Sequence, residues 1–350
     1  MLTELAGAGS RSRIPIMPSL QSLLAVLNPA EQAHFYPGAL FEELRSLAPE
    51  FRLLDPTGVT PEAFAQLLAA NPPDAVLSCW HTPRLPAPTP ARLRYLCHTT
   101  GSVKHLVSRA QIAQGLLVTN WGSAISRTVA ECALYHILAC LRRGTEWTFS
   151  MHQEGGWRQE HAPVASLFER RVGIHGYGAI AKEFIRLIAP FNCRVSVCAP
   201  DFDAAAAART GAQPAASLEA LFAENDVIVE LAPLIAATRG TVTERHFRLI
   251  KPGGVFVNVA RAGITDEAAL LRVAQEGKIQ VGLDVFADEP LAPDHGFRGL
   301  RNVSLTPHIA GPTVDRYPDA GRHAIRNLRA FAAGEPLTAV ITPEVFDQQT

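Results

Sequence analysis

Nowhere in the 350 residues do 18 apolar ones run together, so no membrane-spanning helix is expected. None of the six cysteines (Cys79, Cys97, Cys132, Cys140, Cys193, Cys198) stands in a C-x-x-C pair. Most lie in apolar stretches and read as small buried hydrophobes, with no disulfide framework and no metal-ligand spacing. No charge of one sign dominates: 32 basic residues face 33 acidic ones, the net charge is -1, and no basic block stands out. Nucleic acid and membrane surfaces are therefore not expected partners. The start, "MLTELAGAGSRSRIPIMPSLQSLLAVL", has Glu4 early and is broken by Pro15 and Pro18. It lacks the basic opening, unbroken apolar middle and cleavage site of a signal peptide, so a reduced, cytoplasmic protein is expected.

What is present is ordinary for a globular protein: 47% hydrophobic and 19% charged residues, with a length that predicts two domains. Short apolar runs at 51–55, 74–80, 94–98 and 116–120 read as strands, and "PEAFAQLLAA" at 61–70 has helix spacing. "RLPAPTPAR" at 84–92 is too rich in proline to be anything but a loop. A long apolar helix is predicted over 126–144, with Ser126 as its N-cap, followed by a polar break at 151–160. From 171 the alternation restarts, with strands at 171–175, 194–198, 226–231, 254–260, 281–286 and 302–307. The helices between them are capped by Thr243 and Thr265, and a last helix precedes a tail, "LTAVITPEVF", expected as an edge segment. This pattern predicts an α/β fold built on a doubly wound parallel sheet, with a smaller parallel sheet before it.

The strand "RVGIH" runs straight into Gly176-Tyr177-Gly178-Ala179-Ile180-Ala181 and an amphipathic helix. Gly176 permits a tight turn, Gly178 lets a pyrophosphate approach the backbone, and Ala181 packs helix on strand. Free N–H groups of Ala179 and Ile180 at the helix start suit phosphates. A lone G-x-G-x-x-A is weak evidence, but strand, helix and second strand all stand at the distances that dinucleotide binding requires. Three ionisable residues also stand at or just past predicted strand ends: Arg261, Glu289 and His308. In a parallel sheet those ends share one edge, the usual place for a ligand crevice.

"VNVARAGITDEAAL" (257–270), "GLDVFADEPL" (282–291) and "LTPHIAG" (305–311) resemble the D-isomer-specific 2-hydroxyacid dehydrogenases, as does the crossing stretch "VTNWGSAISRTVAE" (118–131). The likeness runs from about residue 94 to 335. It implies a Rossmann-type dinucleotide domain (123–312) inserted into a smaller flavodoxin-like substrate domain (1–122 and 313–350), and a homodimer built through the first crossing helix. It also implies cofactor contacts at Ala232, Pro233, Val259, Ala260 and Asp284, the last facing the nicotinamide. Gly101, Ser102 and Val103 of "TTGSVKHL" would grip the substrate carboxylate with backbone N–H groups.

Reduction of a 2-oxo acid needs a carboxylate anchor, a hydride donor and a proton. Arg261 offers a two-pronged donor for the carboxylate. A histidine's unperturbed pKa lies near neutrality, so His308 is the type of residue that can give and retake the proton, while Glu289 would hold its other ring nitrogen. The adenosine end is less regular. In "VSVCAPDFD" (195–203) the ribose-holding acid is expected where Ala199 stands, and no arginine, lysine or serine lies in 199–208 to hold a 2′-phosphate. NAD(H) through Asp201 is therefore expected over NADP(H), with weakened discrimination. Lys104, Leu231 and Ala310 depart from common family residues. The expected substrate is a small 2-oxo or D-2-hydroxy acid such as glyoxylate or hydroxypyruvate, and no appended regulatory domain is expected after 350. The alternatives are a formate- or phosphite-type dehydrogenase and a dinucleotide-sensing, corepressor-like binding protein.

Overall fold

Runs of four or five apolar residues that do not alternate with polar ones become parallel strands covered on both faces. The computed structural model describes residues 20–158 and 162–348, so the reading of residues 1–19 lies outside the described residues. The chain opens with β1 (Ser22–Val26), α1 (Pro29–Phe35), α2 (Ala39–Arg45), β2 (Glu50–Leu54), α3 (Pro61–Ala70) and β3 (Ala75–Ser78). It continues through β4 (Tyr95–His98), α4 (Arg109–Ala113) and β5 (Leu117–Thr119). These five strands form one parallel sheet in the order β2-β1-β3-β4-β5, the flavodoxin-like order. Alternate residues feed opposite cores: Leu23 and Tyr95 meet Leu328 and Phe331, while Leu24, Val76 and Leu96 meet Phe64 and Leu68 of α3.

Next come α5 (Ser126–Leu141) and α6 (Gly144–Gln153), then β6 (Arg171–His175), α7 (Ala179–Ile188), β7 (Arg194–Cys198), α8 (Ala204–Thr210), β8 (Gln213–Pro214) and α9 (Leu218–Glu224). β9 (Val227–Glu230), α10 (Glu244–Leu249), β10 (Val255–Asn258), α11 (Glu267–Gln275), β11 (Gln280–Leu283) and β12 (Val303–Leu305) complete a second, larger sheet. Its order is β12-β11-β10-β9-β6-β7-β8, all parallel, and strand order reverses between β6 and β9. That reversal opens a crevice at the carboxyl ends of the strands, where the glycine turn lies. The chain then forms α12 (Tyr317–Ala333), which packs back on the first sheet, and α13 (Pro343–Gln348). No helix among the described residues is long and apolar enough to cross a membrane.

Several local expectations need correcting. The helix predicted over 126–144 ends at Leu141, and α6 takes up the first residues of the expected polar break. Ser126 is not the cap: it lies buried inside the first turn, and Ile125 at the cap position makes no side-chain bond. Thr265 yields to Asp266, whose carboxylate accepts the Ala269 N–H at 2.9 Å, because the Thr265 hydroxyl donates back to the Ala262 carbonyl. Thr243 does cap α10, with His246 as its partner. The tail is an edge segment only around Val340, which bridges antiparallel to Thr119, before α13 begins.

α5 lies close over the second sheet because Gly282 carries no side chain: a Cβ there would sit 2.7 Å from the Cβ of His136. That close approach brings a buried histidine of the crossing helix under the last strands, which matters for the site.

Candidate active site

Between the two sheets lies a cleft of about 1130 Å³. From the second sheet Gly178, Ile180, Ala232, Pro233, Val259 and Ala260 line it. Arg261, Asp284 and His308 also line it, and Gly101 and Ser102 face them from the first sheet. The structure thus brings together most of the residues singled out from the sequence. Val103 is different: its side chain is wholly buried with Leu106 and Val107 in the core. Gly176, Ala179, Asp201 and Glu289 do not line the cleft themselves.

His308 occupies the turn after β12 with φ +54°, a left-handed conformation that a non-glycine residue holds only when its surroundings enforce it. Asp284 supplies the enforcement. Its buried carboxylate accepts the Ile309 N–H and Ala310 N–H, both at 2.9 Å, and the Thr306 hydroxyl at 2.6 Å. The network reaches further, because Thr306 Oγ1 lies 2.9 Å from His136 Nε2 and Ser304 Oγ lies 3.0 Å from His136 Nδ1. Burial lowers the His136 pKa to about 4, so its ring is neutral near pH 7. With the Thr306 proton given to Asp284, Nε2–H of His136 donates to Thr306 and Nδ1 accepts from Ser304. Cys132, His136 and Asp284 place ligand atoms within 4.8 Å of one another. Both ring nitrogens and both carboxylate oxygens in that group are already engaged by protein donors and acceptors.

His308 Nδ1 lies 2.6 Å from Glu289 Oε2, and Glu289 Oε1 accepts the Phe286 N–H at 3.0 Å. Both side chains are partly exposed, and a pair so placed contributes only about 0–1 kcal/mol to stability. Its effect is on orientation: Nδ1–H points at the carboxylate, and Nε2 is left facing the cleft. Arg261 follows β10 and is aimed by an asparagine. Asn258 Oδ1 accepts the Ala260 N–H at 3.0 Å and its Nδ2 donates to the Arg261 carbonyl at 3.1 Å. Arg261 Nη1 donates to the Ala260 carbonyl at 2.7 Å, and the rest of the guanidinium opens onto the cleft. Loss of water against the cleft walls lowers its pKa, which Glu289 partly offsets.

The loop opposite has its own support. His98, wholly buried and held neutral by burial with a pKa of about 3, lies 2.9 Å from Ser78 Oγ and 2.6 Å from Thr100 Oγ1. Asn120 Nδ2 donates to the Gly101 carbonyl at 2.8 Å, while its Oδ1 accepts the Gly122 N–H at 2.9 Å. The backbone N–H groups of Gly101 and Ser102 donate to no protein acceptor among the described residues. Two free donors side by side, opposite a guanidinium, suit a carboxylate.

The glycine turn fits a dinucleotide. Gly176 has φ +94°, and a Cβ on it would meet the backbone N and Cα of Ala232 at 2.6 Å. Gly178 is different: its φ is -81°, and a Cβ there would meet nothing within 4 Å. No protein neighbour requires glycine at 178, so the open space above it and the uncapped start of α7 form a cradle for phosphates. Below the turn, His175 Nδ1 lies 2.7 Å from the buried Glu230 Oε2, whose Oε1 accepts the Ala232 N–H at 2.9 Å. Burial pulls the His175 pKa down, but the Glu230 carboxylate outweighs it and the net shift is upward. Asp201 is exposed in the turn after β7 and makes no side-chain bond among the described residues.

Residues 134–310 match the family model described as D-isomer specific 2-hydroxyacid dehydrogenase, NAD binding domain. The chain is 30% identical over 262 residues to a glyoxylate reductase of Thermococcus gammatolerans, covering 73% of this chain and 78% of that protein. It is 33% identical over 227 residues to D-3-phosphoglycerate dehydrogenase of Mycobacterium tuberculosis, covering 65% of this chain but only 42% of that one. In fold it is similar to the apo form of Rhodotorula graminis D-mandelate dehydrogenase, with TM-score 0.79, 22% identity, and 92% and 97% of the two chains covered.

Proposed function

Since the chain belongs to the D-isomer-specific 2-hydroxyacid dehydrogenase family, we propose that it reduces a 2-oxo acid to the D-2-hydroxy acid and catalyses the reverse. The observation that carries this reading is the convergence of Arg261, the Gly101–Ser102 donors and the free Nε2 of His308 on one cleft. When bound, a nicotinamide dinucleotide supplies or takes the hydride. Arg261 and the backbone of Gly101 and Ser102 hold the carboxylate, and the guanidinium polarises the neighbouring carbonyl. His308 gives its Nε2 proton to the carbonyl oxygen as charge develops there, and Glu289 stabilises the ring while it is protonated. In oxidation the same nitrogen takes the hydroxyl proton.

Glyoxylate and hydroxypyruvate are the first substrates to try, since relatives carry those names. NAD(H) is the proposed cofactor, with Asp201 turning back to the ribose and no arginine or lysine within residues 199–208 to reward a 2′-phosphate. Gly176, Gly178, Ala179 and Ile180 would hold the pyrophosphate, with Ala232, Pro233, Val259 and Ala260 beside the rest. The dinucleotide domain would span 123–312, between the two parts of the substrate domain. A homodimer through α5 and α6 would cover Tyr135 and Met151, which stand 53% and 50% exposed. The cytoplasm is the proposed compartment.

The test is loss of nicotinamide absorbance with NADH, then NADPH, across a panel of 2-oxo acids. Turnover with NADH supports the reading. Tight dinucleotide binding without turnover of any acid overturns it in favour of a sensing role.

A further inference from the structure

The two walls of the cleft differ in chemistry. The wall beside the second sheet carries the glycine turn and the strand ends, whereas the wall beside the first sheet is aromatic. Trp80 follows β3, Trp121 follows β5 and Tyr317 opens α12, and all three line the cleft. Their positions are set by the protein itself. Trp80 lies edge-on to Phe35 with centroids 5.2 Å apart and to Tyr317 at 6.1 Å, and Tyr317 meets Phe35 at 5.0 Å and stacks on His34 at 5.1 Å. Trp121 lies against the Gly101 backbone, so close that a Cβ on Gly101 would be 3.0 Å from its ring. The ring therefore borders the loop that offers the carboxylate donors.

Exposure points the same way. Trp80 is 42% exposed, and Val314 at 80% and Val345 at 38% are exposed on the same cleft. Apolar surface left open to water in a concave site marks where a ligand will cover it. Charge gives a second, independent constraint. Arg261 is the only lysine or arginine lining the cleft among the described residues, and its fork is taken by the substrate carboxylate. Lys104, beside the carboxylate loop, places its ammonium over the Phe346 ring at 5.8 Å rather than in the cleft. Burial, and after it the nearby Arg84 guanidinium, lower the pKa of His105, while Arg84 itself donates to the Lys104 carbonyl at 3.3 Å and does not line the cleft. A phosphate or second carboxylate on the substrate would lose water there and find no second lysine or arginine lining the cleft among the described residues.

We propose that the group attached to the substrate's carbonyl carbon is an uncharged aromatic or branched apolar side chain, seated against Trp80, Trp121 and Tyr317. This rests on the 2-oxo-acid reading above. Glyoxylate has no side chain and leaves the wall uncontacted, so it turns over as a poor member of a bulkier class.

The test is kcat/KM with NADH for phenylpyruvate, 4-methyl-2-oxopentanoate, glyoxylate and 3-phosphohydroxypyruvate. Phenylpyruvate should exceed glyoxylate by about tenfold or more, and the phosphorylated acid should be worst. Trp80→Ala should lower the phenylpyruvate-to-glyoxylate ratio by about tenfold, chiefly through KM, and Trp80→Phe should restore most of it. If Trp80→Ala does not fold, Trp80→Leu and the wild-type ranking carry the same test. Turnover of glyoxylate with refusal of phenylpyruvate, or an unmoved ratio in the Trp80 variant, overturns the aromatic wall and leaves the reductase reading standing. Refusal of every 2-oxo acid overturns both.

Discussion

Asp284→Asn is the sharpest probe of how the turn that carries His308, the proposed proton donor, is held. The carboxylate is wholly buried; Oδ1 accepts from Thr306 and Ile309, and Oδ2 accepts from Ala310. The amide keeps the shape but replaces one oxygen with an NH2. Placed toward Ala310 or toward Ile309, that NH2 faces a backbone N–H, so one acceptor is always lost. A hydrogen bond to a charged group is worth about 1.5–3 kcal/mol, and those that survive are weakened to neutral ones. A loss of about 3 kcal/mol in unfolding free energy follows, read by urea denaturation with tryptophan fluorescence. The strain falls on the two residues after His308, whose φ of +54° needs those bonds. A displacement of about 1 Å in such a group costs about 100-fold in rate, so kcat should fall by that order. Stability within about 0.5 kcal/mol of wild type, together with kcat within about threefold, would refute the assignment.

Three further outcomes follow from the same geometry. Gly176→Ala forces a Cβ to within 2.6 Å of the Ala232 backbone at a φ of +94°, and should weaken dinucleotide binding by about tenfold or more in a fluorescence titration. If Asp201 holds the ribose as proposed, Asp201→Ala removes one hydrogen bond of about 1 kcal/mol and should raise the KM for NADH about fivefold, and an unchanged KM removes Asp201 from the site. His98 and His136 are buried with pKa values lowered to about 3 and about 4, so the unfolded chain takes up protons that the folded one refuses. Their contribution is fully present above the unfolded value of about 6.5 and lost as pH falls through the window below it, at up to about 3 kcal/mol per unit. Urea midpoints measured from pH 7 to pH 4.5 should fall steeply, and His136→Asn should flatten the slope.

Residues whose work depends on a strand end were visible in the sequence, because a parallel sheet gathers those ends whatever the packing. Arg261, Glu289 and His308 belong to that class, and so does the glycine turn. The supporting groups were not visible. His136 and Thr306 lie 170 positions apart, and His175 and Glu230 lie 55 apart. Only helix-on-sheet packing in one case and strand register in the other make them partners. Asn120 and Asn258 sat inside recognised stretches, yet their value is a pair of backbone hydrogen bonds that composition does not announce. β1 is hard to read from the sequence because it follows a proline-broken segment with no turn signal at its start. The Thr265 expectation failed since two adjacent residues could both cap, and local geometry chose the carboxylate. The aromatic wall draws on β3, β5 and α12, which meet only in the folded chain.

The proposed reaction turns on proton transfer by His308. Wild type and His308→Ala should be compared for NADH oxidation with the best 2-oxo acid, with NADH affinity measured separately. A kcat about 100- to 10,000-fold lower is expected in the variant, with NADH affinity essentially retained. Equal rates in the two proteins would contradict it.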